Sequence, residues 1–284
     1  MPFARRHWRA TLGPATLATA AFLLAAAPAV WAQDRASPLR PDAPAISPAC
    51  VIPPELARFD RPLTRTMQRM SQRQPIRIVA IGSSSTYGEG ANSPAWSYPN
   101  RLRLELAYRF PGLDLTVVNR GVNGDNDLDK RARFERDVIA ERPDIVLWQL
   151  GTNSMLGGAP METHLPILQD GVSQLRKATS ADIVLIDPQY APKVLRGSGS
   201  SAVITLIAET ARATDSHLFR RYELMRRWRE VEQMSFDKFI SPDELHMNDW
   251  SYACVARALG TAIADAVTRP TAPERPVPQP SSAR

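Results

Sequence analysis

The sequence predicts an α/β fold, a three-layer α/β/α sandwich in which helices cover both faces of a parallel sheet. Short runs of apolar residues alternate along the chain with longer segments in which apolar residues recur every three or four positions. The short runs are almost continuously apolar, which is typical of strands buried on both faces. Strands and helices that alternate in this way form parallel sheets joined by right-handed crossovers.

Four segments are predicted to form strands because they are short, apolar and rich in β-branched residues, namely residues 76–81, 115–118, 144–150 and 182–186. A short fifth strand is expected at residues 217–219. We expect a flavodoxin-like sheet with strand order 2-1-3-4-5, in which the first strand lies between the second and the third.

Helical periodicity in the intervening segments indicates helices that pack against this sheet. The clearest stripe has spacings of four, three, four and three and consists of Met161, Leu165, Leu168, Val172 and Leu175. Further helices are predicted around Leu102, Leu106 and Phe110, around Val203, Leu206 and Ile207, and over residues 252–267. These stripes describe core packing and carry no chemistry.

Proline-rich segments flank the predicted domain, which we place at residues 75–267. Residues 33–74 form a proline-rich lead-in with room for a helical segment, and residues 268–284 form a proline-rich tail that we predict to be disordered. Both flanks have a composition that resists regular structure.

Residues 1–32 have the organisation of a signal peptide. Arg5, Arg6 and Arg9 precede an uncharged apolar stretch, and Val30-Trp31-Ala32 offers small residues at the two positions that a signal peptidase reads. The alternative is a retained membrane anchor, for which the apolar stretch is short. We therefore expect an exported protein, periplasmic or secreted, without stable membrane insertion after cleavage.

The chain contains two cysteines, Cys50 and Cys254. In an exported protein an even pair favours a disulfide, which would tie the lead-in to the last predicted helix. The alternative is two buried thiols that never meet. Two cysteines without clustered histidines do not form the usual zinc site, and no metal or cofactor is expected.

The formal net charge is +6, and three of the arginines lie in the predicted signal peptide. Most of the other arginines are scattered over predicted helices, which is typical of solvated faces. No basic segment is interleaved with aromatic residues, so no nucleic-acid partner is expected. Mild attraction to an acidic polymer is compatible with this charge.

Polar segments directly follow three of the predicted strands, at residues 82–86, 119–125 and 151–154. In an open parallel sheet, ligands bind beyond the carboxyl ends of the strands, where the strand order reverses. With the order 2-1-3-4-5, these three segments converge on one place.

A fourth polar segment, Asp243-Glu244-Leu245-His246, precedes the last predicted helix. An Asp three residues before a His can reach its Nδ1, fix the tautomer and leave Nε2 free to accept a proton from a hydroxyl group. A serine needs such a base to act as a nucleophile. His164 and His217 have no Asp at this spacing and are predicted to be incidental.

These four segments together resemble the sequence blocks of the SGNH hydrolase superfamily, also called the GDSL esterase/lipase family. In the family's order, the matches are Gly82-Ser83-Ser84-Ser85 for block I, Gly124 for block II, Gly151-Thr152-Asn153-Ser154 for block III and Asp243 with His246 for block V. The resemblance covers about residues 75–266. Ser83 and Ser154 depart from the pattern, because the family usually has Asp at both positions.

The resemblance implies a catalytic triad of Ser84, His246 and Asp243. It also implies an oxyanion hole formed by the backbone N–H groups of Ser84 and Gly124 and the side-chain amide of Asn153. The implied function is an exported serine esterase that hydrolyses short acyl esters, including O-acetyl groups on carbohydrate, without a cofactor. The Gly-x-Ser-x-Gly elbow of α/β-hydrolases is absent from the sequence.

Two other functions stay open at this point. The same triad can serve an acyltransferase that passes the acyl group to a polysaccharide, and the departures at Ser83 and Ser154 are compatible with a carbohydrate-binding domain that has lost activity. The aromatic residues near the expected site also have two interpretations, because such rings suit sugars or acyl groups and are equally common in cores. These residues are Tyr87, Trp96, Tyr98 and Trp148.

Overall fold

The computed structural model describes residues 50–269, except for the side chains of residues 161 and 162. Its strands are β1 (Ile76–Gly82), β2 (Leu115–Gly121), β3 (Ile145–Gln149), β4 (Asp182–Ile186) and β5 (His217–Phe219). They form a parallel sheet in the order β2-β1-β3-β4-β5, which confirms the predicted topology. The expected signal peptide and C-terminal tail fall outside the described residues, apart from the first two residues of the tail.

Helices connect these strands. They are α1 (Thr64–Ser71), α2 (Ser84–Tyr87), α3 (Tyr98–Arg109), α4 (Asp127–Ala132), α5 (Phe134–Asp137), α6 (Thr152–Leu156), α7 (Met161–Ala178), α8 (Pro192–Arg196), α9 (Ser200–Ala213), α10 (Arg221–Glu230) and α11 (Asp249–Thr268). Short 3-10 helices cover Pro54–Leu56, Pro94–Trp96, Ile139–Glu141 and Phe236–Lys238. Two of the polar segments that were expected to be loops therefore contain the first residues of helices, namely of α2 and α6.

The helices cover both faces of the sheet. On one face α1 and α3 pack against α11, and on the other face α7 packs against α4 and α9. The result is the three-layer α/β/α sandwich that the alternation of strands and helices predicts. Within residues 50–269, no helix is both long enough and apolar enough to cross a bilayer.

The stripe on α7 packs largely as its periodicity predicts. Leu168, Val172 and Leu175 are buried against the sheet, whereas Leu165 is 37% exposed. Since α7 follows β3, its first turns lie near the carboxyl edge of the sheet, where less of the sheet remains to cover them.

The packed core begins before residue 75, the domain boundary expected from the sequence. Phe59 and Leu63 are buried, and the Leu63 N–H donates to the carbonyl of Ala266 in α11 at 3.1 Å. The carboxylate of Asp182 accepts the N–H and the hydroxyl of Thr66 at 2.8 and 2.7 Å. Helix α1 of the lead-in is thereby fixed to the start of β4.

Cys50 and Cys254 are both free thiols in the structure, so the expected disulfide is not formed there. Their side chains lie in near contact, and the interaction with Cys254 lowers the pKa of the Cys50 thiol, while burial raises the pKa of Cys254. The fold therefore brings together the two cysteines that the sequence analysis pairs.

Candidate active site

The chain turns sharply from β1 into α2, which begins at Ser84. Two glycines allow this turn because neighbouring atoms leave no space for a side chain. A Cβ on Gly82 would lie 1.9 Å from Thr86 Oγ1, and a Cβ on Gly121 would lie 2.0 Å from the backbone nitrogen of Tyr87. The close approach of β1, β2 and α2 places Ser84 at the carboxyl edge of the sheet.

Ser84, His246 and Asp243 form a continuous hydrogen-bonded chain. Ser84 Oγ lies 2.8 Å from His246 Nε2, and His246 Nδ1 contacts Asp243 Oδ2. Ser84 is 8% exposed, so its hydroxyl is shielded from most of the solvent. This geometry allows the imidazole to accept the hydroxyl proton while the carboxylate stabilises the charged ring.

The loop that carries Asp243 also orients its carboxylate. Oδ1 accepts the backbone N–H groups of Leu245 and His246, both at 3.0 Å, and the hydroxyl of Ser241 at 2.7 Å. Burial opposes ionisation, but these donors and the His246 ring hold the pKa of Asp243 below its ordinary value. The carboxylate is therefore ionised at neutral pH, as a partner of an imidazolium must be.

Residues on either side of His246 fix its position. Met247 forms an antiparallel bridge with Ile240. Asn248 then caps α11, because its side chain accepts the N–H of Ser251 at 3.1 Å and the Ser251 hydroxyl accepts the Asn248 N–H at 3.0 Å. His246 is thus held between a β-bridge and a capped helix N-terminus.

The three residues expected to form an oxyanion hole lie at the same edge of the sheet. The Ser84 N–H is the first of α2 and has no intrahelical acceptor. Gly124 has a φ of 86°, a left-handed conformation that favours glycine, and a Cβ there would meet no atom within 4 Å. Asn153 Nδ2 donates to the carbonyl of Asp125 at 3.0 Å, so Asn153 lies beside the Gly124 loop.

Gln149, at the end of β3, holds the turn that carries Ser84. Its Oε1 accepts the Ser83 N–H at 2.7 Å, the Ser83 hydroxyl at 3.0 Å and, more distantly, the Thr86 hydroxyl at 3.4 Å. Ser83 is therefore bound into the site even though the family pattern has Asp there. The sequence analysis does not include Gln149 among the site residues. A polar residue at the end of an apolar strand is nevertheless a feature of the sequence that could have indicated it.

A buried ionic cluster supports the loop that leads to Asn153. The Asp127 carboxylate accepts the Gly151 N–H at 3.0 Å and Lys130 Nζ at 2.9 Å, and His164 Nδ1 lies 3.7 Å away. Burial opposes the charge on Asp127, but Lys130 and His164 hold its pKa below the ordinary value. The nearby Asp127 carboxylate in turn raises the pKa of His164.

Within residues 50–269, the two histidines other than His246 differ in their relation to the site. His164 lies beside Asp127 in the buried cluster, a position that its sequence context does not predict, and it has no contact with Ser84 or His246. His217 packs in the core with its ring 5.3 Å from that of Phe59, and burial lowers its pKa to about 4. The second departure from the family pattern, Ser154, takes part in the cluster by accepting the Asp127 N–H at 3.0 Å.

Arg133 joins the segments that follow β1 and β2. Its Nη2 donates to the carbonyl of Gly82 at 3.0 Å, and its Nε donates to Asp125 at 2.7 Å. A further bond from Nη1 to Asp137 at 2.9 Å anchors the guanidinium to α5. Arg133 therefore couples the turn before Ser84 to the loop that carries Gly124, a role that the motifs alone do not reveal.

The aromatic residues near the site divide into core and surface. Trp148 and Tyr98 are buried, and the Phe134 ring meets Trp148 edge-on at 4.9 Å. Trp96 is covered by the guanidinium of Arg101 at 4.4 Å. Tyr87 follows Ser84 within α2 and is 47% exposed, which makes its ring the most open of the four.

Several known proteins to which this chain is similar are esterases. A segment of 46 residues is 44% identical to an acetylxylan esterase from Geobacillus stearothermophilus, and it covers 16% of this chain and 21% of that enzyme. Among solved structures, a two-domain esterase active on acetylated mannans, crystallised with mannopentaose, matches with a TM-score of 0.64 and 21% identity. That match covers 78% of this chain and 59% of the two-domain esterase, so the chain spans less than two thirds of it.

Two smaller enzymes are matched over nearly their whole length. An acetylxylan esterase from Geobacillus stearothermophilus gives a TM-score of 0.56 at 20% identity, with 66% of this chain and 94% of that chain covered. LAE5, described as an alpha/beta hydrolase enzyme from the metagenome of Lake Arreo, gives 0.56 at 19% identity, with 68% and 98% covered. At these identities the structural likeness establishes the fold.

A match to a protein-family model covers a similar share of the chain. The model of the Non-GDSL lipase-like family matches residues 49–269, which include every strand of the sheet and every residue of the candidate site. This chain belongs to the Non-GDSL lipase-like family.

Proposed function

We propose that this chain is a serine esterase of the SGNH type that removes short acyl groups, above all O-acetyl groups, from carbohydrate. The observation that carries the proposal is the 2.8 Å contact between Ser84 Oγ and His246 Nε2, with Asp243 bound to the other nitrogen of the ring. A hydroxyl, an imidazole and a carboxylate in this order are the groups that acyl transfer through serine requires.

The reaction proceeds in two halves. His246 Nε2 takes the proton of Ser84 as Oγ attacks the ester carbonyl, and the alcohol then leaves with that proton while the acyl group stays on Oγ. A water molecule next gives a proton to Nε2 and attacks the acyl group, which leaves as the carboxylic acid as Oγ recovers its proton. Asp243 stabilises the imidazolium in both halves.

The carbonyl oxygen becomes negative in each tetrahedral intermediate and needs donors that are already in place. We assign this role to the N–H groups of Ser84 and Gly124 and to Asn153 Nδ2. One hydrogen of the Asn153 amide is used by the Asp125 carbonyl at 3.0 Å, and the second is available to the oxyanion. Asp127 supports this arrangement through its bond to the Gly151 N–H.

Acetyl groups on carbohydrate are favoured by two lines of support. The similar proteins described above include esterases active on acetylated mannans and acetylxylan. The exposed ring of Tyr87, close to Ser84 in α2, offers an apolar face of the kind on which a sugar ring packs.

We also propose that the enzyme acts outside the cytoplasm. This proposal rests on the signal-peptide pattern of residues 1–32, and a polymeric substrate too large to enter a cell requires an exported enzyme. Mass spectrometry of the protein recovered from the periplasm or medium of a bacterial host gives the mature N-terminus. Protein that stays in the cytosol with residue 1 intact would contradict export.

The function is tested by measuring acetate release from acetylated xylan and acetylated mannan, beside a series of p-nitrophenyl esters of increasing chain length. We expect the acetate esters to be hydrolysed fastest. Ser84→Ala should abolish hydrolysis, and Ser85→Ala, which removes a hydroxyl from the next buried position, is the matched control and should retain substantial activity.

The same assay separates the two other functions. Transfer of the acetyl group to an added glycan at the expense of acetate release would identify an acyltransferase. A folded wild-type protein that binds acetylated glycans but hydrolyses none of the esters would identify a binding domain and overturn the proposal.

A further inference from the structure

A cleft of about 870 Å³ lies at the amino ends of β1, β3 and β4, the edge of the sheet opposite Ser84. It is bordered by α1, by residues 139–144 and by the last turn of α7. Six cationic and two acidic side chains line it, namely Arg65, Arg69, Arg77, Arg142, Arg176 and Lys177 with Glu141 and Asp144. This cleft, which we call the basic cleft, therefore carries a net positive charge.

The two acidic residues neutralise only part of that charge. Asp144 lies 2.7 Å from Arg69 Nε and 4.0 Å from Arg65 Nε. Glu141 pairs with Arg77 at 2.8 Å and also with a neighbouring arginine of β2. Each carboxylate thus faces two guanidinium groups. One negative charge cannot neutralise two positive ones, so each set of three side chains keeps a net positive charge.

The three remaining cations have no carboxylate partner within the described chain. Arg176 Nη2 donates to the backbone carbonyls of Thr214 and Asp215, which orients the guanidinium without neutralising it. The side chains of Arg142 and Lys177 are exposed and form neither hydrogen bonds nor ion pairs with other described residues. These three residues provide an unbalanced positive charge on the rim of the basic cleft.

Part of this surface is fixed before a ligand arrives. Arg69 is held by Asp144 and donates through Nη2 to the carbonyl of Pro75 at 2.9 Å. Arg176 is held by the two backbone carbonyls just before β5 that are described above. A guanidinium held in place offers its remaining N–H groups to a carboxylate in a bidentate geometry with little further loss of entropy.

We propose that the basic cleft binds a carboxylate-bearing glycan, that is, a chain containing uronic acid residues. Among the described residues, no aromatic side chain lines the cleft, which disfavours single-stranded nucleic acid because bases require stacking partners. A concave cleft also fits a polymer chain better than the plane of an anionic membrane. The choice of a glycan among polyanions rests on the proposed function.

The position of the cleft suits a second contact with a polymeric substrate. β1 has 7 residues and spans about 23 Å between the basic cleft and the turn to Ser84. A polymer held at the cleft keeps other segments of the same chain near the reaction centre, which raises their effective concentration without any new contact at the triad.

The test is direct binding of the full-length mature protein to polygalacturonate by isothermal titration calorimetry, with neutral dextran and a single-stranded DNA homopolymer as comparison ligands. The cleft variant is Arg142→Glu/Lys177→Glu. The matched control, Arg103→Glu/Arg212→Glu, makes the same change in net charge at exposed arginines outside the cleft. Binding does not require Ser84, so Ser84→Ala should bind like the wild type.

We expect polygalacturonate to bind the wild type and the control at least about tenfold more tightly than the cleft variant, with an affinity that falls as salt is added. Dextran should not bind. The three proteins with an intact Ser84, namely the wild type, the cleft variant and the control, should hydrolyse p-nitrophenyl acetate at the same rate. Failure of that hydrolysis in the wild type would count against the proposed function alone.

Three results would overturn the inference. One is no binding of polygalacturonate by the wild type. The second is an equal loss of affinity in the cleft variant and in the control, which would show that net charge alone is responsible. The third is tighter binding of the DNA homopolymer than of polygalacturonate, which would assign the cleft to a different class of ligand.

Discussion

Ser84 Oγ lies 2.8 Å from His246 Nε2, although 162 positions of chain separate the two residues. The two side chains meet because β1 ends at Gly82 in the middle of the sheet, while α11 begins at Asp249 beside the same carboxyl edge. The contact depends on the turn into α2 on one side and on the Asn248 cap on the other.

The triad residues should act as one unit. We expect Ser84→Ala and His246→Ala each to lower kcat by about 10⁶-fold, and the double variant to lose no more than either, because a nucleophile and its base are useless alone. Asp243→Asn should cost less, since the base survives in a poorer orientation. Steady-state kinetics with p-nitrophenyl acetate measure this, and losses that multiply in the double variant would refute a shared step.

Asn153→Ala should lower kcat by about 10²–10³ with little change in KM. The side-chain amide acts mainly on the negative oxygen of the transition state and contributes little to binding the neutral ester. A change confined to KM would instead assign Asn153 to substrate binding. Circular dichroism of the variant controls for unfolding.

Gln149→Leu should impair both stability and catalysis. Its Oε1 is the acceptor for the Ser83 N–H and hydroxyl, and burying these donors without a partner costs about 1–3 kcal/mol each. In the Ser83→Ala background one of the two donors is already gone, so Gln149→Leu should cost less there. A double-mutant cycle in urea unfolding measures this coupling, and strict additivity would contradict it.

Stability should fall in weak acid because of His217. Burial lowers its pKa to about 4 in the folded protein, whereas an unfolded histidine titrates near 6.5. Between these values the unfolded chain binds the proton more readily, so the free energy of unfolding decreases as pH falls through this range, by up to about 3 kcal/mol. His217→Phe, which can pack against Phe59, should lose less stability between pH 7 and 4 than the wild type; equal slopes would contradict this explanation.

Cys50 and Cys254 should form a disulfide in protein recovered from an oxidising compartment. The side-chain contact lowers the pKa of Cys50 and thereby favours the thiolate that begins disulfide formation. In the chain-entropy model, closing so long a loop stabilises the fold by about 4–5 kcal/mol. Mass spectrometry of a non-reduced digest should detect the linked peptides, and two freely alkylated thiols would rule the bond out.

Much of the fold was predictable because buried strands leave a local signature. The runs that became β1, β3 and β4 are nearly continuous in apolar residues, and two of their loops carry glycines that the turns require. The sheet order was an expectation for a flavodoxin-like sheet, and the structure confirms it. The short helix α2 was not predicted, because its four residues carry no periodicity.

The sequence by itself predicted Ser84, Asn153, Asp243 and His246 as site residues, because each belongs to a short motif at the end of an element. Only the tertiary structure revealed Gln149, Arg133 and the Asp127 cluster with Lys130 and His164. These side chains act on segments distant along the chain, as when Gln149 meets Ser83 across 66 positions. A hydrogen bond of this kind depends on the register of neighbouring strands and on burial, neither of which any single stretch of sequence encodes.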